Sequence, residues 1–252
     1  MIGVTEKRIL DIIKKNGTIC FALIDSEDIS KEQVVDTVKK VEKAGIHGIL
    51  IGGSTATDQK ELNLITKTIK KITSLPIILF PGNITGISHN ADAIFFSSLL
   101  NSDNPYFIIQ AQMLSAPIIK KYNLEAIPMG YIVIGNGGTI GYIGNARGIP
   151  AEKGNIAAMY ALAAQYMGMR VIYLEAGSGA NKPISSELIK KVRKLFNGIL
   201  IVGGGIKSPE IAKEISNAGA NIIVIGTLLE EKGFENNLEK IIKAIIKKWT
   251  NY

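Results

Sequence analysis

Tyr173-Leu174-Glu175-Ala176-Gly177-Ser178-Gly179 joins the end of an apolar run to an acid and then to a glycine-rich bend. Val171 to Leu174 reads as a short buried strand, and the glycines give the backbone freedom for amide N–H groups to converge on an anion. Two later strands end alike. Gly198-Ile199-Leu200-Ile201-Val202 runs into Gly203-Gly204-Gly205, and Asn221-Ile222-Ile223-Val224-Ile225 runs into Gly226-Thr227, with helix-like sequence after each. Gly204-Gly205 followed by Ile206-Lys207-Ser208-Pro209-Glu210 has the form of a phosphate loop at a helix N-terminus, with proline in the first turn. Free amides and the helix dipole bind a phosphate monoester without requiring lysine. Three such strand ends in a row read as one phosphate cradle, with simple tight turns as the plainer alternative.

Working outward, the same alternation of strand and helix fills the chain. Thr18 to Ile24 is an apolar run of the kind found in strands buried on both faces, and it ends at Asp25. Ser30 and Gln33 form a capping box for a helix to Ala44, which Gly45 stops. Gly48 to Ile51 is a strand entering Gly52-Gly53-Ser54, Asp58 caps a helix to Thr73, and Leu75 to Phe80 is the third strand. Pro81 to Asn90 is too short for a helical crossover before the fourth strand, Ala91 to Phe96. The helix expected there is missing or reduced to a loop. Such a gap leaves a flank of the fold open as an apolar groove, or else a neighbouring subunit or the loop itself covers it. Further helices are predicted over Pro105 to Tyr122, Glu152 to Met167, Ser185 to Phe196, Pro209 to Ala218 and Asn237 to Trp249. A longer strand runs from Ala126 to Ile134, and Asn136-Gly137-Gly138-Thr139 reads as a hairpin turn into Ile140 to Ile143. The pattern predicts a single (β/α)8 TIM barrel over residues 1–252, and such barrels take about 250 residues.

The chain has 252 residues, of which 46% are hydrophobic and 26 are glycine. Lys and Arg exceed Asp and Glu by 29 − 22 = +7, a balance that suits nucleic acid, anionic lipid or a polyanionic small molecule. The lysines sit at helical spacing beside apolar residues, as in Lys39-Lys40, Lys70-Lys71 and Lys190-Lys191, which is the pattern of a solvated helix face. No interleaving of basic and aromatic residues argues for nucleic acid. Cys20 is the single cysteine and lies in an apolar strand, so neither a disulfide framework nor a cysteine metal site is available. No signal peptide opens the chain, and no stretch approaches the ~18 apolar residues of a spanning helix. The expected location is the cytoplasm.

Barrel chemistry sits at the C-terminal ends of the strands, which selects Asp25, Ser54, Glu175, Ser178 and the late glycines. Asp25 and Ser54 point to a Mg²⁺ site, because that ion takes one or two protein oxygens, waters and substrate phosphate oxygens; a turn cap and a loop residue are their plainer roles. His47 and His89 are the only histidines, too few for a zinc enzyme, and both read as structural. Glu175 is either a general base or a buried acid accepting backbone N–H bonds.

Six stretches carry a family resemblance: Phe21-Ala-Leu-Ile-Asp25, Ile51-Gly-Gly-Ser54, Phe95-Phe-Ser-Ser-Leu-Leu-Asn-Ser102, Asn104-Pro-Tyr-Phe-Ile-Ile109, Tyr173 to Gly179 and Val202-Gly-Gly-Gly-Ile206. Together they resemble the geranylgeranylglyceryl phosphate synthase family across nearly the whole barrel. The resemblance implies a prenyltransferase that forms the first ether bond of archaeal-type membrane lipids, from geranylgeranyl diphosphate and sn-glycerol 1-phosphate, with Mg²⁺. It also implies a barrel whose third helix is replaced by an extended segment. Bacterial relatives use longer, heptaprenyl chains. Position by position, it implies that Asp25 and Ser54 bind Mg²⁺, and that Tyr173, Leu174, Glu175, Ala176, Gly177, Ser178, Gly179, Gly204, Gly205, Gly226 and Thr227 hold glycerol phosphate. The family commonly continues its first aspartate with proline, an acid and lysine, where this chain has Ser26, Glu27 and Asp28. Arg147 is a candidate replacement for the lost lysine at the diphosphate, or a residue bracing the surface. Glu175 then takes the glycerol hydroxyl proton as the oxygen bonds to the electron-poor allylic carbon. The prenyl tail is expected along Ile84 to Phe96, with Tyr106, Phe107 and Ile108. The basic amphipathic C-terminal helix either packs on the barrel or touches an anionic membrane. The family often forms dimers or hexamers. The rivals are a phosphate-binding isomerase or lyase barrel, a flavin-binding barrel, and a non-catalytic phosphate-binding protein.

Overall fold

Eight parallel strands close on themselves in chain order in the computed structural model, which describes residues 2–26, 29–53 and 58–246. The strands are β1 (Ile19–Asp25), β2 (Gly48–Gly53), β3 (Ile77–Pro81), β4 (Ala93–Leu99), β5 (Glu125–Val133), β6 (Val171–Glu175), β7 (Ile199–Gly203) and β8 (Ile222–Ile225), with β8 pairing back onto β1. Their sequences are almost continuously apolar because both faces are covered. Alternate residues still separate cleanly. Val171 and Tyr173 point into the barrel with Phe21, Phe95 and Ile201, while Ile172 and Leu174 pack outward beneath the helices. Two-residue periodicity then turns Glu175 inward, above Tyr173.

The outer layer is α1 (Val4–Asn16), α2 (Lys31–Ala44), α3 (Gln59–Ile72), α4 (Ala111–Lys121), α5 (Gly138–Ile143), α6 (Gly154–Tyr166), α7 (Ser186–Leu195), α8 (Pro209–Asn217) and α9 (Glu235–Ile245). The predicted capping box is present, with Ser30 Oγ accepting from Gln33 N and Gln33 Oε1 accepting from Ser30 N. Asp58, Ser185 and Ser208 cap α3, α7 and α8. Glu125, at the start of β5, accepts the N–H groups of Thr5 and Glu6 at 2.7 and 2.9 Å, so a distant side chain caps α1. Glu6 is itself buried and paired with Arg170, an ion pair that binds α1 to the start of β6. His47 Nδ1 accepts the Cys20 N–H at 3.3 Å, and His89 packs edge-on against Tyr122, so both histidines are structural.

Between β3 and β4 the chain forms no helix, as its length predicts. Residues 82–92 follow an irregular path tied to α3, with Gln59 donating to the Ile87 carbonyl and Ser88 to Asn63. The hairpin expected at Asn136 to Thr139 is not formed. Gly135, Gly137 and Gly138 do have the positive φ of a tight turn, but both edges of β5 and of β6 are already paired in the barrel. With no free edge to join, residues 138–143 close as the short helix α5. The helix predicted from Pro105 begins as a π-helical turn, Tyr106–Gln110, before α4. The C-terminal helix is described to Ile245 and buries Leu238, Ile241, Ile242 and Ile245 against the barrel; Trp249 lies outside the described residues. Its apolar face is thus occupied, which favours packing over membrane contact. No helix among the described residues is long and apolar enough to cross a membrane.

Candidate active site

Glu175 ends β6 at the C-terminal mouth and is 7% exposed. Its Oε2 accepts the Tyr131 hydroxyl at 2.9 Å, its Oε1 accepts the Gly177 N–H at 2.6 Å, and Tyr173 also donates to it. Burial pushes the carboxyl above the ordinary carboxylate range, while these three donors act in the opposite direction. The two tyrosine hydroxyls are held well above the usual phenol value, first by burial and then by the negative Glu175. They remain donors, which fixes the carboxylate as acceptor and orients it.

The rings of Phe80, Tyr131 and Tyr173 form a cluster beneath the acid, with centroids 5.1 to 5.3 Å apart. Tyr131 and Tyr173 are register partners on β5 and β6, and Val133 is the partner of Glu175. Tyr131 therefore reaches Glu175 from one pleat below on the neighbouring strand. Gly177 sits at φ +107°, and a Cβ there would come within 2.8 Å of the Gly137 carbonyl carbon. The bend after Glu175 thus packs directly on the turn before α5, and the same glycine presents its N–H to the acid.

Two clefts meet at Glu175. One is long and apolar, running from Leu23 and Phe80 past Ile84, Ile87, Ile94 and Phe96 to Phe107, Ala111 and Ser115. It follows the flank left by the absent crossover helix. Its far wall is stitched by Ser98 Oγ donating to the Ile108 carbonyl and by Gln112 Nε2 donating to the Ser97 and Phe107 carbonyls. The other cleft is small, walled by Tyr173, Ser178, Gly179, Gly204, Gly205, Lys207, Gly226 and Thr227. Gly204, at φ +87°, brings the β7 bend within 2.7 Å of the Gly177 carbonyl, measured from where a Cβ would stand. Thr227 Oγ1 accepts the Gly179 N–H at 3.2 Å and lies 3.3 Å from Ser178 Oγ. The three strand ends are thus one pocket. Glu175, Ser178, Gly226 and Thr227 line both clefts.

Asp25 lies at the exposed end of β1 on the apolar cleft. Ser54, Glu27 and Asp28 fall outside the described residues. Leu174 and Ala176 support the strand and its bend without lining either cleft. Arg147 is exposed on the loop after α5, its N–H bonded to the Asn101 carbonyl, and lines neither cleft. Residues that the sequence reading missed are Tyr131, Phe80 and Glu230, all lining the apolar cleft; Lys207, quoted there only as part of the phosphate loop, lines the small cleft. Tyr131 sits in a run read only as a strand, so nothing local marked it.

Comparison with known proteins matches residues 11–248 to the PcrB family model. The chain belongs to the PcrB family. Within the family it stands among the geranylgeranylglyceryl phosphate synthases, which are prenyltransferases. The synthase of Nitrosopumilus maritimus is 56% identical over 92% of this chain and 93% of its own length. That of Cenarchaeum symbiosum is 52% identical over 97% and 99%. The crystal structure of (S)-3-O-geranylgeranylglyceryl phosphate synthase from Thermoplasma acidophilum, in complex with its substrate sn-glycerol-1-phosphate, superposes with a TM-score of 0.92 at 37% identity, covering 98% of this chain and 99% of that one. A thiamine phosphate pyrophosphorylase of Pyrococcus furiosus, at TM-score 0.60 and 16% identity, shares the barrel fold alone. Family membership sets the prenyltransferase reading above the isomerase, flavin and non-catalytic rivals.

Proposed function

We propose that this family member transfers a geranylgeranyl group from geranylgeranyl diphosphate to the C3 hydroxyl of sn-glycerol 1-phosphate, with Glu175 as the base, and that residues 1–252 serve this one barrel. The observation that carries the assignment of parts is the position of Glu175, an oriented buried carboxylate where an apolar groove meets a glycine-lined anion pocket. The small pocket takes the phosphate of the acceptor on the amides around Ser178, Gly179, Gly204, Gly205, Gly226 and Thr227. The groove takes the prenyl tail, where each buried CH₂ contributes ~0.8 kcal/mol.

Asp25 provides a hard carboxylate oxygen at the mouth, and no group of three or more His, Cys, Asp or Glu able to hold a metal occurs among the described residues. That donor set fits an ion that completes its shell with water and phosphate oxygens, as Mg²⁺ does, and Ser54 is the second proposed ligand. Bound there, Mg²⁺ supplies charge neutralisation to the diphosphate leaving group. In the reaction, the C–O bond from the prenyl C1 to diphosphate breaks and diphosphate leaves with the electron pair. The acceptor C3 oxygen bonds to C1, and its proton passes to the Glu175 carboxylate. A carboxylate at its ordinary pKa of about 4.3 is a weak base toward an alcohol; transfer becomes favourable as the oxygen bonds to the cationic carbon, and the raised pKa of Glu175 assists. Apolar walls around the reacting carbon exclude water that competes with the acceptor. Arg147, exposed and outside both clefts, is left with a bracing role on its loop. The lone buried Cys20 suits a reducing cytoplasm, and the homo-oligomer common in the family is the expected assembly.

Glu175→Gln tests the assignment. Turnover is expected to fall at least ~100-fold, within the range for removing a general base, while sn-glycerol 1-phosphate binding by calorimetry stays within about 2-fold. Undiminished turnover would remove Glu175 from the reaction.

A further inference from the structure

Gly203 is the residue of β7 that pairs with Glu175 across the β6–β7 register. Its backbone gives no reason for a glycine. It is the last residue of a strand, paired also to Val224 of β8, and its φ lies outside the left-handed region that Gly204 and Gly205 occupy. Ile201, two residues before, points into the barrel, so a side chain at 203 would point inward one pleat nearer the mouth. That space is taken. A Cβ on Gly203 would overlap the Tyr173 hydroxyl and stand 2.7 and 2.8 Å from its Cζ and Cε1, closer than carbon atoms pack.

The phenol has little room to retreat from such a methyl. Tyr173 is 1% exposed, its ring stacks on Phe80 at 5.1 Å, and it meets Tyr131 edge-on at 5.1 Å. Its hydroxyl therefore rests on the bare backbone of Gly203, beside the acid to which it donates. Glu175 Oε1 lies 3.0 Å from where a Gly204 Cβ would stand, at the same end of β7. The acid is held from two flanks, by Tyr131 from β5 and by Tyr173 over β7, and by the Gly177 N–H from the bend. A carboxylate held this way loses its freedom to turn, and a misplacement of about 1 Å at a reacting group can cost ~100-fold in rate.

From this packing we infer that Gly203 is a positioning residue for the base: its missing side chain is the space in which the Tyr173 hydroxyl sits, and any side chain there moves that hydroxyl off Glu175 and frees the carboxylate to turn. This inference rests on the functional reading above, in which Glu175 is the base. Gly203 lines neither cleft, so it acts through Tyr173 alone. The titratable groups around the acid are Tyr131 and Tyr173, with Asp25 and Glu230 on the large cleft and Lys207 on the small one. A methyl group at 203 leaves the formal charge of each unchanged.

The test is a cycle of full-length variants, Gly203→Ala, Tyr173→Leu and the two combined, with Tyr173→Phe alongside. Each is assayed for ether formation over a range of pH with Mg²⁺, geranylgeranyl diphosphate and sn-glycerol 1-phosphate. Gly203→Ala should lower kcat by about 10- to 100-fold and keep donor KM within about 2-fold, because Tyr173 does not line the large cleft. Losing one donor to the charged form should move the acid limb of kcat upward by about 0.5 to 1 pH unit, and Tyr173→Phe should move it equally. Loss of packing alone would lower Tm and leave the limb in place. Tyr173→Leu removes the atoms that the added methyl meets, so in that background Gly203→Ala should cost less than about 2-fold further. If Gly203→Ala alone does not fold, the double variant should fold with the Tm of Tyr173→Leu, and the limb of Tyr173→Phe decides the rest. An unmoved limb in Tyr173→Phe, or an equal loss from Gly203→Ala in both backgrounds, would overturn the inference while the parent's ether product keeps the synthase reading. No ether product from the parent would overturn that reading, and this inference with it.

Discussion

Glu175 is a buried acid whose three hydrogen bonds all come from neutral donors, Tyr131, Tyr173 and the Gly177 N–H. Burial raises its pKa against those donors, and the sign of two pH effects follows. As a base it acts when deprotonated, so kcat is expected to fall on the acid side with a midpoint above the ordinary carboxylate value. Tyr131→Phe removes one donor to the charged form and should move that acid limb to higher pH, with little change in acceptor binding; an unmoved limb would separate the titration from Glu175. For stability, an acid whose folded pKa lies above its unfolded value contributes stability that is present below the unfolded pKa and lost as pH rises through the folded one. Glu175 therefore destabilises the fold at neutral pH. Glu175→Gln should be at least as heat-stable as the parent at pH 7 by calorimetry, although nearly inactive. A large drop in Tm there would contradict the account of a carboxylate kept for chemistry.

At the scale of elements, the groove exists because a helix is absent, and α4 with its π-helical entry forms the wall opposite loop 82–92. Ala111 is a half-buried lining residue on that wall. Ala111→Trp should fill the groove and lower activity with long prenyl donors far more than with short ones, while sn-glycerol 1-phosphate binding is kept; equal loss for every chain length would place the tail elsewhere. The missing helix was legible in the sequence because Pro81 to Asn90 cannot hold a crossover, and the strands were legible because doubly buried parallel strands are continuous apolar runs. The bends after β6 and β7 were legible because glycines stand at those strand ends in the sequence, and Gly177, Gly204 and Gly205 do take positive φ. The contacts between elements were not. Tyr131 joins Glu175 through β5–β6 register, Glu125 caps α1 across 119 and 120 residues, and the segment after the turn, 138–143, closed as a helix because no strand edge was free. Those outcomes depend on closure of the barrel, which no local pattern encodes. Glu6 and Arg170 are a further example, and Glu6→Ala should destabilise the protein by about 1–2 kcal/mol, between the values for exposed and buried pairs because the Arg170 guanidinium is partly solvated, read as a lowered urea midpoint.

For the whole molecule, the barrel brings a long apolar groove and a small glycine-lined pocket together at one carboxylate, and the PcrB family match covers nearly all of this framework. The central claim is that the two compartments join their contents by an ether bond with a defined acceptor. The most direct measurement is an assay of the purified full-length protein with Mg²⁺, geranylgeranyl diphosphate and labelled sn-glycerol 1-phosphate, with sn-glycerol 3-phosphate and heptaprenyl diphosphate as the competing acceptor and donor. The account predicts 3-O-geranylgeranylglyceryl phosphate from the 1-phosphate, with little product from the 3-phosphate or the longer donor. No ether product from any donor, or equal product from both glycerol phosphates, would contradict it.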